Sequence, residues 1–493
     1  MPPFGGWALF NEFGYNKHYL PSFLKQAGYS TRYVGKLMND HTINNFDKIP
    51  PQDFDESDFL LDPNTYNYWN ASFSHNGEPV TFHPGEYSTD LIRDRAVKLI
   101  ESAVAQTPDK PFFVGVAPIA PHSHISAATH KLGGFVFEAP ESAPRHAHLF
   151  QDVKLNSSRE SFNPDRPSGA SWIRDLQQLN KTNLDYIEHF YRQRLRALQA
   201  VDELVETVVN KLDKLGQLDN TFIFYTADNG FDSNAGHRRQ PGKTLPYEED
   251  IRVPFVVRGP NVPQSVKDHK SVHSIVDLGA TILNLAGATS DYDHDGQTIP
   301  ITHDERLQNV EPKRHSLHEY WVESITEGRY SDGVHVTNKY RSIRILDESH
   351  EANWAYAVWC TGEKELYEMN TDPDQMHNLL LGETTKVNLS SEKIQRVAKR
   401  LDGLLLRLKD CVGDECRQPW QSLFPRGEVT KLGQALSSQY DKYFDALPNV
   451  AYEDCTLGYH RAKEHPFWHA DLAFKSSSSD VVFQSEQQEQ VFL

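Results

Sequence analysis

Over the first two thirds of the sequence, short apolar runs alternate with longer stretches in which apolar residues recur at helical spacing. Residues 112–117 and 221–226 are continuous runs of the kind that form strands buried on both faces. Between them, a helix with one apolar face is predicted from about 186 to 215. Further strands are predicted at 31–34 and 253–257, and further helices at 19–27, 89–100 and 272–286. This alternation predicts the α/β class, with a mostly parallel sheet flanked by helices.

The character of the sequence changes near residues 300–312, which are polar and loop-like. We therefore predict an α/β domain over residues 1–312 and a smaller C-terminal subdomain over residues 313–474. Strands of a small antiparallel sheet are predicted at 340–346, 355–360 and 366–369, and an amphipathic helix at 391–408. Residues 475–493, rich in Ser, Gln and Glu, are predicted to form a disordered tail.

The charge balance restricts the partners of the chain. Its 50 Lys and Arg residues stand against 68 Asp and Glu residues, which gives a net charge of −18 at pH 7. Such a chain repels a polyanion, so neither nucleic acid nor an anionic membrane surface is expected as its main partner. No apolar run approaches the ~20 residues that a membrane-spanning helix needs, so no membrane span is predicted.

Cysteines and glycosylation sequons bear on the compartment. The four cysteines are Cys360, Cys411, Cys416 and Cys455. Four cysteines allow three disulfide connectivities, and the sequence does not choose among them. N-x-Ser/Thr sequons are present at Asn70, Asn156, Asn180 and Asn388. Together with the even number of cysteines, they favour a glycoprotein of secretory origin. The first residues, however, show neither the basic nor the apolar region of a signal peptide.

A carboxylate and a carboxamide directly follow one of the predicted strands. Asp228 and Asn229 come after the run at 221–226, and ligands of parallel sheets bind at the carboxyl ends of the strands. Their side-chain oxygens are the hard donors that Ca²⁺ and Mg²⁺ prefer. Because Asp, Asn and Gly also favour turns, a simple strand-to-loop turn is the alternative interpretation.

Four stretches in this order resemble the signatures of the sulfatase family. They are residues 28–36 (G-Y-x-T-x-x-x-G-K), 117–122 (P-x-x-P-H), 228–254 (D-N-G followed by G-K-x-x-x-Y-E-x-x-x-R-x-P) and 365–373 (E-L-Y followed by D-P). The similarity covers about residues 10 to 380. Within the family, the sequence resembles the branch of glucosamine-6-sulfatases and fungal arylsulfatases. It implies an alkaline-phosphatase-like fold and an enzyme that hydrolyses sulfuric esters with a divalent cation such as Ca²⁺. Asp228 and Asn229 would coordinate that cation.

The resemblance also implies the residues that bind the sulfate group. Lys36 and Lys243 would hold it and stabilise its negative charge in the transition state. His122 would contact the sulfate or protonate the departing oxygen, and His237 would be a second histidine facing the sulfate. One position departs from the family, because many members carry His where this sequence has Met38.

The family nucleophile is absent from this sequence. In the family, a formylglycine made from the Cys of a C/S-x-P-S/T-R motif attacks sulfur and forms a covalent sulfate intermediate. Here no Cys precedes Cys360, no Asp-Asp pair precedes Lys36, and the nearest lookalike, residues 142–145, lacks the Ser or Thr between Pro and Arg. We therefore expect that an N-terminal segment with the nucleophile, a central strand and the signal peptide is missing. The chain as given is expected to be inactive.

Two other interpretations remain open from the sequence. One is a non-catalytic remnant that binds sulfate or a glycan without chemistry. The other is a phosphatase or phosphodiesterase on the related metallohydrolase fold, which the two lysine matches and the single metal position disfavour. For a sulfatase, an aryl sulfate and a sulfated sugar are both possible substrates. Segments 69–75 and 122–141 are expected to be specificity loops, and the location is expected to be secreted or vacuolar-lysosomal. The oligomeric state is not predicted.

Overall fold

The computed structural model describes residues 5–125, 137–308, 312–330, 334–346, 353–382 and 389–475. Its strands are β1 Ser30–Lys36, β2 Glu56–Leu60, β3 Asn70–His75, β4 Thr81–Pro84, β5 Phe112–Ala117, β6 His124–Ile125, β7 Phe137–Glu138, β8 Ile223–Tyr225, β9 Val256–Arg258, β10 His315–Tyr320, β11 Ser324–Ile325, β12 Val334–His335, β13 Tyr340–Leu346, β14 Asn353–Trp359 and β15 Lys364–Glu368. Its α-helices are Trp7–Glu12, Leu20–Gln26, Ser88–Gln106, Ser171–Arg174, Lys181–Lys214, Glu248–Ile251, Ile275–Ala286, His303–Leu307, Ser391–Leu408, Asp414–Arg417, Pro419–Leu423, Leu432–Ala435 and Asp441–Ala446. None of the helices within these ranges has the length and apolar character needed to cross a membrane.

The largest sheet is mixed and has the strand order β4-β3-β2-β1-β5. β1 pairs in parallel with both β2 and β5, whereas β3 and β4 extend the sheet in antiparallel pairs. The predicted α/β class is therefore confirmed, and the parallel pairing is concentrated around β1.

A close approach of backbones sets the end of β1 against the end of β5. Gly35, with φ of 108°, lies opposite Ala117, and a Cβ on it would overlap the Ala117 carbonyl oxygen. Only glycine tolerates both this φ and this contact. The next residue, Lys36, is the last of β1 and lies beside the loop that follows β5.

Two helices cover one face of this sheet. Ser88–Gln106 packs against β1 and β5, and Lys181–Lys214 packs on top of it. The second helix begins at a reciprocal capping pair, in which Asn180 and Asn183 each bind the other's backbone N–H. The buried core between sheet and helices includes Val34, Leu60, Phe73, Ile92, Leu99, Ala197, Val201 and Leu204.

Three of the predicted strands are less buried than the sequence indicated. β8 and β9 form an antiparallel pair, and within the described ranges they pair only with each other. Val256 is 60% exposed, and β5, at the edge of the large sheet, is half-buried along its length. An apolar run predicts a buried strand, but it does not identify the elements that cover the strand. The prediction of burial on both faces was wrong for these strands.

The C-terminal sheet has the order β10-β13-β14-β15 and is antiparallel throughout. The predicted strand at 340–346 and the helix at 391–408 are both observed with these bounds. The helix buries its apolar face against the sheet in the largest core of the molecule, which includes Ile343, Tyr356, Leu366, Val397, Leu401, Leu405 and Phe424. A second core joins this sheet to the first 312 residues through Leu245, Tyr247, Tyr340, Trp359 and Tyr367.

The structure describes one of the two predicted specificity loops in full, part of the other, and only Lys475 of the predicted tail. Residues 69–75 are not a specificity loop, because 70–75 form β3 and Ala71, Ser72, Phe73 and Ser74 are buried. The predicted disordered tail, apart from Lys475, and residues 126–136 of the other predicted loop lie outside the described residues.

Of the three possible disulfide connectivities, the structure has Cys360–Cys455 and Cys411–Cys416. Their sequence separations of 95 and 5 residues predict very different contributions to stability, because a cross-link restricts the unfolded chain more when it closes a longer loop. Replacing both members of the long-range pair by Ala should lower the free energy of unfolding by about 4–5 kcal/mol, and replacing both members of the short-range pair by about 2 kcal/mol. Urea unfolding of both double variants measures the difference, and equal losses would contradict it.

Candidate functional site

Three of the sequence-predicted residues lie in one cluster of side chains. Lys36 Nζ lies 5.4 Å from the centre of the Tyr66 ring, and the His122 ring stacks on the same ring at 4.2 Å. Lys243 Nζ lies 3.4 Å from Glu327 Oε1, and His122 Nε2 lies 3.9 Å from the same oxygen. Two lysines and a histidine from three distant parts of the chain thus surround Tyr66 and Glu327. We refer to these five residues as the anion pocket.

Lys36 enters the pocket from the end of β1. Its side chain is 22% exposed, and its Nζ lies 3.7 Å from Asp228 Oδ2. Asp228 belongs to the loop after β8, and the glycine two residues later explains the path of that loop. A Cβ on Gly230 would overlap the Glu249 carbonyl, and the Gly230 N–H donates to the Asp250 carbonyl oxygen at 2.9 Å.

Backbone hydrogen bonds hold Lys243 beside Glu327. Gly242 forms bridges with both Asp232 and Thr326, and the Glu327 N–H donates to the Pro241 carbonyl oxygen at 2.6 Å. The residues before Lys243 and before Glu327 are therefore paired as in a short strand. This pairing places the backbones of Lys243 and Glu327 side by side.

His122 is oriented by its own main chain and by two tyrosines. Its Nδ1 lies 2.9 Å from the Ser123 carbonyl oxygen, and its carbonyl accepts the Tyr68 hydroxyl at 2.7 Å. Since a carbonyl only accepts, Nδ1 carries a hydrogen, and Nε2 is the nitrogen that faces Glu327. Burial, followed by the charge of Lys243, lowers the pKa of His122 to about 4. At neutral pH the imidazole is therefore uncharged.

Glu327 is a buried carboxylate, 5% exposed, in the middle of these groups. The Ser123 hydroxyl donates to its Oε2 at 2.6 Å. Burial alone would raise the pKa of Glu327, but Lys243, His122 and the Ser123 hydroxyl together lower it to about 2. The carboxylate is therefore ionised at all ordinary pH values.

This low pKa predicts a pH-dependent contribution to stability. A carboxyl whose pKa falls from 4.5 in the unfolded chain to about 2 in the folded protein stabilises the fold above pH 4.5, and the effect disappears as the pH falls toward 2. Between about pH 6 and about pH 3, wild type should lose about 2 kcal/mol more unfolding free energy than Glu327→Gln. Urea unfolding of both proteins at the two pH values measures the difference. Equal losses of unfolding free energy in the two proteins would show that the neighbours of Glu327 do not lower its pKa.

The described residues do not by themselves fit a calcium ion. Asp228 is 71% exposed and faces Lys36, and the Asn229 amide donates to the Gly230 carbonyl oxygen at 2.7 Å. In the described parts of the chain, no three or more His, Cys, Asp or Glu side chains are grouped so that they could hold a metal. Ca²⁺ takes six to eight oxygen ligands, and Asp228 and Asn229 supply only part of such a shell.

His237 does not join the anion pocket. It is 2% exposed, its ring stacks on Tyr247 at 4.2 Å, and its backbone N–H donates to the Ser161 carbonyl oxygen. Burial lowers its pKa to about 3. Within the described residues, none of its contacts is with Lys36, His122 or Lys243. Its geometry is that of a packed core histidine behind the Lys243 loop.

An open cavity of about 320 Å³ lies next to Lys36. It is lined by Gly6, Lys36, Leu37, Met38, Asn39 and Asp228. Met38 therefore lies at the position where the family often carries His, and it offers the cavity no charge. No thiol is available there either, because all four cysteines are in disulfides.

Sequence reasoning missed Tyr66 and Glu327. Neither lies in a recognised motif, and Glu327 falls beyond the predicted domain boundary at 312. The only signal was an isolated Glu between Thr326 and Gly328 in a polar stretch, which is ordinary for a surface loop. The pocket thus combines residues from both predicted domains.

Two family models match the chain. The model described as Sulfatase matches residues 3–288, and the model described as N-sulphoglucosamine sulphohydrolase, C-terminal, matches residues 236–402. The second match crosses the predicted boundary at 312, as the anion pocket does.

Curated relatives and a solved structure agree with these models. An arylsulfatase of Chlamydomonas reinhardtii is 36% identical over 92% of this chain and 71% of its own length. A sulfatase of Metarhizium majus is 38% identical over 83% of this chain and 86% of its own length. A protein solved in complex with its substrate D-glucosamine-2-N,6-O-disulfate superimposes with a TM-score of 0.59 at 22% identity, over 80% of this chain and 83% of that one. Both predictions, of the family and of its alkaline-phosphatase-like fold, are confirmed, and the chain belongs to the sulfatase family.

Proposed function

We propose that this chain forms the sulfate-binding side of an arylsulfatase-like active site that hydrolyses sulfuric esters. The observation that carries the proposal is the convergence of Lys36, Lys243 and His122 on one pocket from three separate sequence motifs. Two cations and an imidazole within one pocket match a tetrahedral, singly charged sulfate group.

The two lysines bind the sulfate and stabilise the charge that develops on it. Lys36 and Lys243 are each about one fifth exposed, so their charges are less screened than those of surface lysines. Their positions are set by β1 and by the paired backbone at Gly242, so little rearrangement is needed when the charge develops.

His122 donates a proton to the departing oxygen of the ester. Its Nε2 faces the pocket, and the negative charge of a bound ester raises its pKa from the low value of the empty pocket. A proton taken up on binding is then available to the leaving group.

The nucleophile and the cation complete the proposal. The four cysteines of this chain are cross-linked, so a formylglycine must come from a C/S-x-P-S/T-R motif that these residues do not contain. When bound, a divalent cation such as Ca²⁺ neutralises charge on the sulfate oxygens. Asp228 and Asn229 would contribute to its shell. By itself, this chain is proposed to bind sulfate esters without turning them over.

The substrate class and compartment follow from the relatives and the disulfides. The relatives include arylsulfatases, and the similar solved structure binds a sulfated glucosamine, so we infer that an aryl sulfate or a sulfated sugar is the substrate. Two disulfides are typical of an oxidising compartment, which supports a secreted or vacuolar-lysosomal glycoprotein.

Equilibrium binding tests the sulfate site without requiring turnover. Phenyl sulfate should bind to the chain, and Lys243→Ala should raise its Kd at least about tenfold, a loss of about 1.4 kcal/mol. Isothermal titration calorimetry measures both constants. Lys181→Ala removes an equal charge from a surface position that is 86% exposed and should leave the Kd unchanged. If the two variants bind equally well, Lys243 does not hold the sulfate.

A further inference from the structure

Glu327 is unexpected in a site built for an anion. It is buried, ionised, and directly beside the lysine and histidine that face the proposed sulfate group. A carboxylate at this position repels the ligand that the site is proposed to bind. Its role therefore requires an explanation beyond the binding of sulfate.

Before a ligand binds, the pocket carries charges of both signs. Lys36, Lys243 and the largely buried Arg194, which interacts with Glu327, are positive. Asp228 and Glu327 are negative, and His122 is neutral. Asp228 is mostly exposed, so water screens its charge. Glu327 is buried and acts at nearly full strength.

The position of Glu327 does not adjust to the ligand. The Ser123 hydroxyl donates to one carboxylate oxygen, Lys243 lies against the other, and the backbone N–H is bonded to Pro241. Because contacts on both oxygens hold the carboxylate in place, its position stays the same when a ligand occupies the pocket.

We propose that Glu327 is a specificity-determining residue that makes the pocket prefer singly charged sulfate monoesters over doubly charged phosphate monoesters. The two groups have the same tetrahedral shape, so charge is the property that separates them. The inference rests on the proposed sulfate site and names its selectivity.

The preference follows from how the two opposing energies scale with charge. Attraction to the pocket grows in proportion to the ligand charge multiplied by the net charge of the pocket. The cost of removing the ligand from water grows with the square of its own charge. The charge of Glu327 lowers the net positive charge of the pocket, so the second charge of a phosphate monoester adds desolvation cost with less added attraction. Removing the charge of Glu327 makes the pocket more positive and shifts this balance toward phosphate.

The test compares phenyl sulfate with phenyl phosphate in metal-free buffer at about pH 8, where a phosphate monoester with a second pKa of about 6 is doubly charged. Wild type should bind the sulfate more tightly. Glu327→Gln should shift the ratio of the two Kd values toward phosphate by at least about tenfold, or about 1.4 kcal/mol. Glu327→Asp, which keeps the charge, should preserve the preference. Glu101→Gln removes an equal charge at a half-exposed position paired with Lys211 and should change nothing.

A measurement on wild type avoids any dependence on folding of the variants. Lowering the pH to about 5 converts phenyl phosphate to a single charge, so its disadvantage relative to phenyl sulfate should shrink. At that pH, Glu327, whose pKa is lowered to about 2, keeps its charge.

Three outcomes would overturn the inference. An equal change in both Kd values in Glu327→Gln, or a ratio in wild type that does not respond to pH, would show that Glu327 does not select by charge. A wild type that prefers phosphate at the higher pH would do the same. Failure of wild type to bind either ligand has a separate meaning, because it would overturn the proposed sulfate site together with this inference.

Discussion

The purified 493-residue chain is expected to release no more nitrophenol from an aryl sulfate than its Lys243→Ala variant does. Lys36, Lys243 and His122 can bind and polarise an ester, but none of them is the formylglycine that attacks sulfur, and all four cysteines are in disulfides. Enzymes accelerate their reactions at least about 10⁶-fold, and this acceleration should be absent. Absorbance of the released nitrophenolate measures turnover. A wild-type rate well above that of Lys243→Ala would contradict the proposal that a nucleophile outside these residues is required.

The matched experiment supplies the nucleophile. A version of the protein that also carries the C/S-x-P-S/T-R motif, with its cysteine converted to formylglycine, should turn over the same aryl sulfate. The control is the same protein with Ala at that cysteine, which should fall back to the rate of the 493-residue chain. If supplying the motif restores no activity, the interpretation as a non-catalytic, sulfate-binding or glycan-binding remnant is favoured instead.

In that competent version, Lys243→Ala and His122→Ala are expected to lose activity in different ways. Lys243, an ammonium group, acts on the sulfate itself. Its removal should cost about 10²–10³ in kcat whatever the leaving group. His122 acts on the departing oxygen, so its loss should be mild for a nitrophenyl sulfate and severe for an alkyl sugar sulfate, within the ~10²–10⁴ range of general acid catalysis.

A series of esters with increasing leaving-group pKa separates the two roles. The plot of log kcat against leaving-group pKa should stay parallel to wild type for Lys243→Ala and become steeper for His122→Ala. Parallel lines for both variants would make His122 a sulfate-binding residue and place the general acid elsewhere. Lys181→Ala, far out on the surface, should overlay wild type.

Local sequence patterns were sufficient for the elements whose environment they encode. The helix Ser391–Leu408 repeats apolar residues at a period that matches its own geometry, so its bounds were predictable. Lys36 was predictable because it ends the motif at residues 28–36, which resembles a signature of the sulfatase family. The helical period and the motif are each contained in one short continuous stretch of the sequence.

Patterns failed where distant residues provide the partner. β3 looked like a polar loop because it contains Ser72 and Ser74. Both serines instead lie inside the fold, where their hydroxyls donate to the Leu61 and Glu78 carbonyl oxygens. β8 looked fully buried because its residues are apolar. Apolar residues do not indicate which strand pairs with it. The hydrogen-bond partners of these two serines lie 11 and 4 residues away. Which strand pairs with each edge of β8 is decided only when the sheet assembles.

The sequence by itself determined the family, the α/β class and three of the pocket residues, because these depend on short motifs and on periodicity. Only the tertiary structure decided that His237 is buried behind Tyr247, and that Tyr66 and Glu327 complete the anion pocket. Glu327 lies 84 residues after Lys243 in the sequence, since 327 minus 243 is 84, yet their charged atoms are 3.4 Å apart. The charge of a site is the sum over all groups that folding brings together, and no local pattern contains that sum.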